Sequence, residues 1–197
     1  MSKRPEMLAP DEWPAYAEQA IGCEIIDTAG NRYIDMSYNG ILACILGYAD
    51  PDVNAAVIRR VNMGSMTTLA SYDEVKLAQL LLEIHPWAER ARFTRTGGES
   101  MAVAVRIARA ATGRDKVAIC GYHGWHDWYL AANLGKGGNE NLTGHLLPGL
   151  EPNGVPKVLR DTALHFHYNQ LSELEEIFNK HGSELAAVVM EPTRSTD

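Results

Sequence analysis

The chain has 197 residues, of which 46% are hydrophobic and 22% are charged, and its formal net charge is −7 at neutral pH. This composition is typical of an ordinary globular protein with enough apolar residues to form a core. The acidic balance and the lack of a basic stripe argue against a nucleic-acid-binding protein.

A β-hairpin is predicted near the start of the chain, within a small α+β segment that covers residues 1–85. Residues 22–36 have the sequence GCEIIDTAGNRYIDM, in which two strand-like runs flank Thr28–Asn31. The Gly and Asn of this short stretch tolerate the positive φ angles that a tight hairpin turn requires.

Two helices are predicted to follow the hairpin. Pro51 comes directly after GYAD and suits the first turn of a helix that runs to about Met63. The apolar residues of Asp73–Ile84 recur at close to helical spacing, with Ser71 and Asp73 as candidate caps. Pro86 ends this second helix.

Residues 86–197 are predicted to form part of an α/β domain. Strands are expected at Ala91–Thr94, Lys116–Cys120, Ala163–His167 and Leu185–Met190, and helices at Glu99–Ala111 and Leu171–Lys180. Alternating strands and helices with continuous apolar strands indicate a parallel sheet covered on both faces. The long Gly- and Pro-rich stretch 133–162 is predicted to be a functional lid or a disordered loop.

Ligands of open parallel sheets bind beyond the carboxyl ends of the strands, so the residues that follow each strand are candidate site residues. In TGGES, Gly97 and Gly98 open a helix and leave backbone N–H groups free to bind a phosphate. The alternative is an ordinary Gly-Gly turn in which Thr96 serves only as a helix cap.

Aromatic residues are concentrated in CGYHGWHDWY, residues 120–129, just beyond a predicted strand. They either cover an edge of the core or line a pocket that holds a flat ligand. Tyr122 is expected at the same sheet edge as Gly97 and Gly98, which favours a flat ligand that carries a phosphate. The spacing of His123, His126 and Asp127 is only a weak metal signal, and we predict no metal site.

Glu191 follows the apolar run AAVVM, where Pro192 ends the strand. A carboxylate in this position is either part of a pocket wall with catalytic neighbours, which makes Glu191 a candidate catalytic residue, or a solvated strand end.

We expect a cytoplasmic protein that binds neither nucleic acid nor membrane. The three cysteines are widely spaced and show no metal-ligand pattern, which favours a reduced compartment over a disulfide scaffold. The N-terminal stretch MSKRPEMLAPDEW has no apolar region of the secretory kind, and no apolar run is long enough to span a bilayer.

Together, TGGES, AVRIARAATGRDKVAICGYHGWHD, the hairpin, LGYADP and VVMEP closely resemble the class III pyridoxal-phosphate aminotransferases, and among them the glutamate-1-semialdehyde aminomutase-like members. The resemblance spans nearly the whole chain and corresponds to the N-terminal part of that family. It implies the first half of a type I, aspartate-aminotransferase-like parallel-sheet domain, a homodimer or completion by another chain, and a small-molecule amine or keto substrate.

The resemblance also implies roles for individual residues. Thr96, Gly97 and Gly98 correspond to the phosphate-binding helix start, and Gly98 stands where a hydroxyl residue is usual. Tyr122, with His123 beside it, corresponds to the aromatic residue that stacks on the cofactor ring. Glu191 corresponds to the acidic residue of the family's Glu-Pro motif.

Two functional hypotheses follow from the resemblance. The first is the N-terminal portion of a transaminase or aminomutase that acts on a semialdehyde or sugar, a transferase or isomerase by reaction class. None of the six lysines follows a strand in a desolvating setting, so we expect no Schiff-base lysine in this chain and no activity from the chain alone. The second is a non-catalytic remnant that binds a phosphate-bearing ligand or an intact homologous subunit.

Overall fold

The computed structural model describes residues 14, 16–37, 39–40, 42–134 and 151–193, which belong to two compact units that divide between Trp87 and Ala88. The first unit contains an antiparallel sheet and the second contains a parallel sheet. Within the described ranges, no helix is both long and apolar enough to cross a membrane.

The first unit contains a three-stranded sheet in the order β1 (Ala17–Ile21), β2 (Glu24–Asp27) and β3 (Arg32–Ile34). Strands β2 and β3 are antiparallel partners, so the predicted hairpin is confirmed. Strand β1 was not predicted, because its sequence AEQAI contains one β-branched residue and its conformation depends on pairing with β2.

The hairpin turn is organised around the buried carboxylate of Asp27. Its Oδ1 accepts hydrogen bonds from the backbone N–H groups of Ala29 at 2.9 Å and Asn31 at 2.8 Å. Its Oδ2 accepts hydrogen bonds from the Asn31 amide and the Tyr33 hydroxyl, both at 3.1 Å. These bonds, led by that of the Asn31 side chain, lower the pKa of Asp27 below its usual value.

Both predicted helices of the first unit are confirmed, as α1 (Pro51–Asn62) and α2 (Tyr72–Ile84). Asp50 caps α1, since its Oδ1 accepts from the N–H groups of Asp52 at 3.1 Å and Val53 at 3.0 Å. Ser71 caps α2 by accepting from the N–H of Asp73 at 3.3 Å. In the described part of the chain no residue of either helix is buried.

The second unit alternates helices and strands, in the order α3 (Gly97–Thr112), β4 (Lys116–Cys120), α4 (Asp127–Leu130), β5 (Ala163–His165), α5 (Leu171–His181) and β6 (Leu185–Met190). The sheet order is β5-β4-β6, and β4 is parallel to both neighbours. The predicted parallel α/β architecture is therefore confirmed.

The central strand β4 is buried on both faces of the sheet. Val117 and Ile119 belong to a cluster that includes Val105 of α3 and Tyr129 of α4. Ala118 and Cys120 belong to a second cluster, into which side chains of α5 pack. Because successive side chains of a strand point to opposite faces, a strand covered on both sides is apolar throughout.

The predicted strand at Ala91–Thr94 is wrong, because this segment is irregular in the structure. A strand requires a hydrogen-bonded neighbour. Both sides of β4 are taken by β5 and β6, and no described strand pairs with Ala91–Thr94. Apolar content alone therefore does not make this segment a strand.

The predicted long loop is described only in part, since residues 135–150 lie outside the described residues. Its ends contain two short 3₁₀ helices, Ala131–Leu134 and Lys157–Leu159. Strand β5 ends at His165, two residues before the predicted end.

Candidate functional site

Helix α3 begins at the carboxyl edge of the sheet with two glycines. Thr96 is its N-cap, and the Thr96 hydroxyl oxygen accepts a hydrogen bond from the backbone N–H of Glu99 at 3.2 Å. The predicted capping role of Thr96 is therefore present in the structure. The first N–H groups of a helix have no acceptor within the helix, and among the described contacts none pairs with the N–H of Gly97 or Gly98.

The turn that follows β4 lies directly against the start of α3. Gly124 has a φ of +99°, and a Cβ atom built on it would lie 2.9 Å from the Cα of Gly98. A Cβ built on Gly98 would lie 3.0 Å from Cδ2 and 3.1 Å from Nε2 of His126. The two backbones approach so closely because both contact positions are glycine.

The aromatic residues of this turn divide into core residues and residues that remain accessible. Trp128 and Tyr129 are buried in the core cluster, whereas Trp125 is 68% exposed. Tyr122 is half-buried, and its ring centroid lies 5.9 Å from that of Tyr129 in an edge-to-face contact. The core interpretation therefore holds for Trp128 and Tyr129, and the pocket interpretation stays a prediction for Tyr122.

Two hydrogen bonds hold the turn beneath Tyr122. Nε2 of the buried His123 lies 2.7 Å from the carbonyl oxygen of Cys120, to which its N–H donates. The Tyr129 hydroxyl donates to the Gly121 carbonyl at 3.1 Å. Burial, followed by the nearby Tyr122 and Glu191, raises the pKa of Tyr129 and keeps its hydroxyl protonated as a donor. Sequence reasoning did not single out Tyr129, because its role depends on a contact made only in the folded chain.

Glu191 follows β6 and packs against the same turn. A Cβ atom built on Gly121, whose φ is +93°, would lie 3.4 Å from Oε2 of Glu191. The Tyr168 hydroxyl donates to the carbonyl of the next residue, Pro192, at 3.2 Å. Three stretches that are far apart in sequence therefore meet at one edge of the sheet: residues 96–98, residues 121–126 and Glu191.

The described lysines of the second unit are engaged or exposed. Lys116, at the amino end of β4, lies 2.9 Å from Oε2 of Glu184 and 3.0 Å from Nδ1 of His181. Lys180 pairs with Glu176 at 3.4 Å, and Lys157 is exposed. Lys3 and Lys136 lie outside the described residues.

Among the described residues, no group of three or more His, Cys, Asp or Glu side chains is arranged to hold a metal ion. The arrangement at the sheet edge is instead a set of neutral donors beside an aromatic ring and a carboxylate.

Comparison with known proteins identifies the family. The family model described as Aminotransferase class-III matches residues 8–196. The chain belongs to the class III aminotransferases. The resemblance found in the sequence is thus confirmed.

Three similar proteins illustrate this membership. Glutamate-1-semialdehyde 2,1-aminomutase of Thermoplasma volcanium is 37% identical over 183 residues, which cover 92% of this chain and 42% of that protein. The 2'-deamino-2'-hydroxyneamine transaminase of Streptomyces kanamyceticus is 36% identical, covering 93% of this chain and 43% of that protein. A solved transaminase with PLP bound has a TM-score of 0.80 at 26% identity, over 98% of this chain and 46% of that one.

The chain therefore spans less than half the length of the relatives that it matches. The family and its PLP-bound structures support pyridoxal phosphate as the cofactor. The residues at the sheet edge are suited to this group, because two free N–H groups at the start of a 16-residue helix can bind a phosphate. Apart from its chain neighbours and the backbone of its own helix, no atom of the described residues lies within 4 Å of a Cβ built on Gly97, so this side of the helix start is open among them.

Proposed function

We propose that this chain is the N-terminal part of a pyridoxal-phosphate-dependent transaminase or aminomutase. The observation that carries the proposal is the meeting of the α3 helix start, the 121–126 turn and Glu191 at one sheet edge. The approach of Gly98 to Gly124 and that of Gly121 to Glu191 support the proposal, because they connect the proposed phosphate donors to the turn that carries Tyr122 and to an acid, in a chain of this family.

Each residue has a separate part in the proposed site. The backbone N–H groups of Gly97 and Gly98 donate to the cofactor phosphate, and the helix dipole of α3 favours the negative charge. Thr96 holds the helix start through its bond to Glu99. These donors fix the position of the phosphate end of the cofactor.

The turn after β4 positions the pyridine ring of the cofactor. Tyr122 presents its half-buried ring as a face for stacking, and His123 holds the backbone of the turn through the Cys120 carbonyl. Glu191 lies against Gly121, where its carboxylate accepts hydrogen bonds from substrate or water at the mouth of the site. When bound, pyridoxal phosphate supplies the electron sink that amino-group chemistry requires.

We propose a small amine or keto compound, a semialdehyde or a sugar, as the substrate class, and a cytoplasmic homodimer as the working form. The names of the similar proteins support this range, since they include a semialdehyde aminomutase and a hydroxyneamine transaminase. The exposed apolar residues of α1 and α2 support association, and the acidic net charge argues against nucleic-acid binding.

Covalent labelling of the full 197-residue chain tests this division of roles. The chain is incubated with pyridoxal phosphate, reduced with borohydride and digested, and labelled lysines are mapped by mass spectrometry. We expect scattered, substoichiometric labelling and no amine transfer to a keto acid, because Lys116 and Lys180 are engaged in ion pairs and Lys116 lies at the opposite end of β4 from the site.

Stoichiometric labelling of one lysine, together with amine transfer, would show that the chain carries its own catalytic lysine. Recovery of amine transfer upon addition of a second chain with a strand-end lysine would support the enzyme over a non-catalytic remnant. Specific binding of pyridoxamine 5′-phosphate without any such recovery would favour the remnant.

A further inference from the structure

His126 occupies the space beside Gly98 at the start of α3. Its ring is half-buried, and its Cδ2 and Nε2 atoms lie 3.0 and 3.1 Å from where a Cβ of residue 98 would be. His126 is also the N-cap residue of α4, but its side chain makes no capping hydrogen bond. Its position therefore has no explanation in the capping of its own helix.

Gly98 lacks the hydroxyl that residues in this position usually provide in the family that the sequence resembles. The backbone N–H groups of Gly97 and Gly98 remain as donors, but a phosphate has three oxygens, each of which accepts more than one hydrogen bond. Among the described residues, the imidazole of His126 is a neighbouring donor of suitable chemistry.

We propose that His126 binds the cofactor phosphate in place of the missing hydroxyl, an inference that rests on the function proposed above. An imidazole that carries its proton on Nε2 can donate a hydrogen bond from this atom, which lies beside the helix start at Gly98. A side chain on residue 98 would crowd the ring of His126, because its Cβ atom would lie closer to the ring than an ordinary van der Waals contact and the ring would have to shift. Gly98 and His126 thus act as a pair, in which the glycine makes room for the histidine.

A purely structural role for His126 makes a different prediction. A ring that only packs on Gly98 would stabilise the turn, and its loss would weaken the binding of every ligand of the site alike. A phosphate-binding ring would change the affinity only for ligands that carry a phosphate. The ratio of affinities for pyridoxamine 5′-phosphate and pyridoxamine separates the two roles, and it requires neither turnover nor a catalytic lysine.

The test measures this ratio by calorimetric titration of the full chain and of four variants. His126→Phe keeps a ring against Gly98 but removes the donor, and His126→Ala removes both. The double variant Gly98→Ser/His126→Ala restores a hydroxyl in the space that the ring vacates. His181→Phe is the matched control, since His181 lies beside Lys116 at the amino end of β4. Circular dichroism checks that each variant is folded.

We expect the preference for the phosphorylated ligand to fall about tenfold in both single His126 variants, as for loss of a hydrogen bond to a charged group. The double variant should recover most of it, and His181→Phe should retain it. An unchanged ratio in the His126 variants, or an equal loss of affinity for both ligands, would overturn the inference while leaving the cofactor site in place. A wild-type chain with no preference for the phosphate would instead overturn the proposed phosphate site itself, and the inference with it.

Discussion

Replacement of Gly124 by alanine is expected to destabilise the second unit through two separable effects. Gly124 has a φ of +99°, a conformation that residues with a Cβ atom rarely adopt. The added Cβ would also lie 2.9 Å from the Cα of Gly98, so one of the two backbones must move. This second effect acts directly on the helix start that is proposed to bind the phosphate.

Gly154→Ala is the matched control. Gly154 has a similar φ of +88°, but in the described part of the chain no atom beyond its chain neighbours lies within 4 Å of a Cβ built on it. The backbone conformation alone costs about 1–3 kcal/mol. Displacement of packed backbone adds about 1–3 kcal/mol. The Gly124 variant should therefore lose at least about 1 kcal/mol more than the control.

The assay is urea unfolding of both variants and of the wild-type chain, followed by near-ultraviolet circular dichroism of the aromatic cluster. At an unchanged slope, the shift in midpoint gives the difference in unfolding free energy. Titration with pyridoxamine 5′-phosphate then reports on the helix start, where only the Gly124 variant should bind more weakly. Equal losses of stability in the two glycine variants would refute the close backbone contact between Gly98 and Gly124.

Three further predictions concern the cofactor, the sheet edge and pH. Tyr122→Ala should weaken cofactor binding by about 0.5–1.5 kcal/mol beyond the effect of lost burial. Gly97→Asp should weaken cofactor binding more, because it places a carboxylate at the proposed phosphate position. Unchanged cofactor affinity in both variants, measured by titration, would mean that the site is misplaced. The chain should associate at high concentration, because no described strand pairs with the outer edge of β6 and Met190 is 43% exposed. A monomeric mass by light scattering at high concentration would count against this prediction. The hydrogen bond from Lys116, followed by that from His181, lowers the pKa of Glu184 below its usual value of 4.5. These bonds therefore stabilise the fold at pH values above 4.5, and their contribution is lost as the pH falls through the lowered pKa of Glu184. Glu184→Gln should therefore flatten the acid side of the stability profile, and an equally steep acid limb in the variant would contradict the assignment.

The sequence determined the local elements of this protein well. The turn at Thr28–Asn31 and the cap at Ser71 depend on residues that are close together in the chain. Conformational preferences and hydrogen bonds over two to four residues depend on the local sequence, so they can be predicted without knowledge of the fold. The family motifs can be recognised in the sequence for the same reason, since each is a short contiguous stretch.

Segments whose structure depends on a distant partner were not predictable in this way. Strand β1 has little intrinsic strand preference and forms because β2 is beside it. Ala91–Thr94 has a strand-like composition but no strand partner among the described residues. Pairing supplies the hydrogen bonds that define a strand, and composition cannot show whether a partner is present.

The details of the candidate site were likewise decided by tertiary structure. From the sequence, Gly98 was a lost hydroxyl and His126 a weak candidate metal ligand. The fold places the ring of His126 3.0–3.1 Å from where a Cβ atom of Gly98 would be, although the two residues are 28 positions apart in sequence. Such a contact depends on how α3 packs on the sheet and on the positive φ angles that turn the chain after β4. The chemistry of each residue is fixed by its type, but the pairing of a glycine with the side chain that fills its space exists only when the two backbones are brought together.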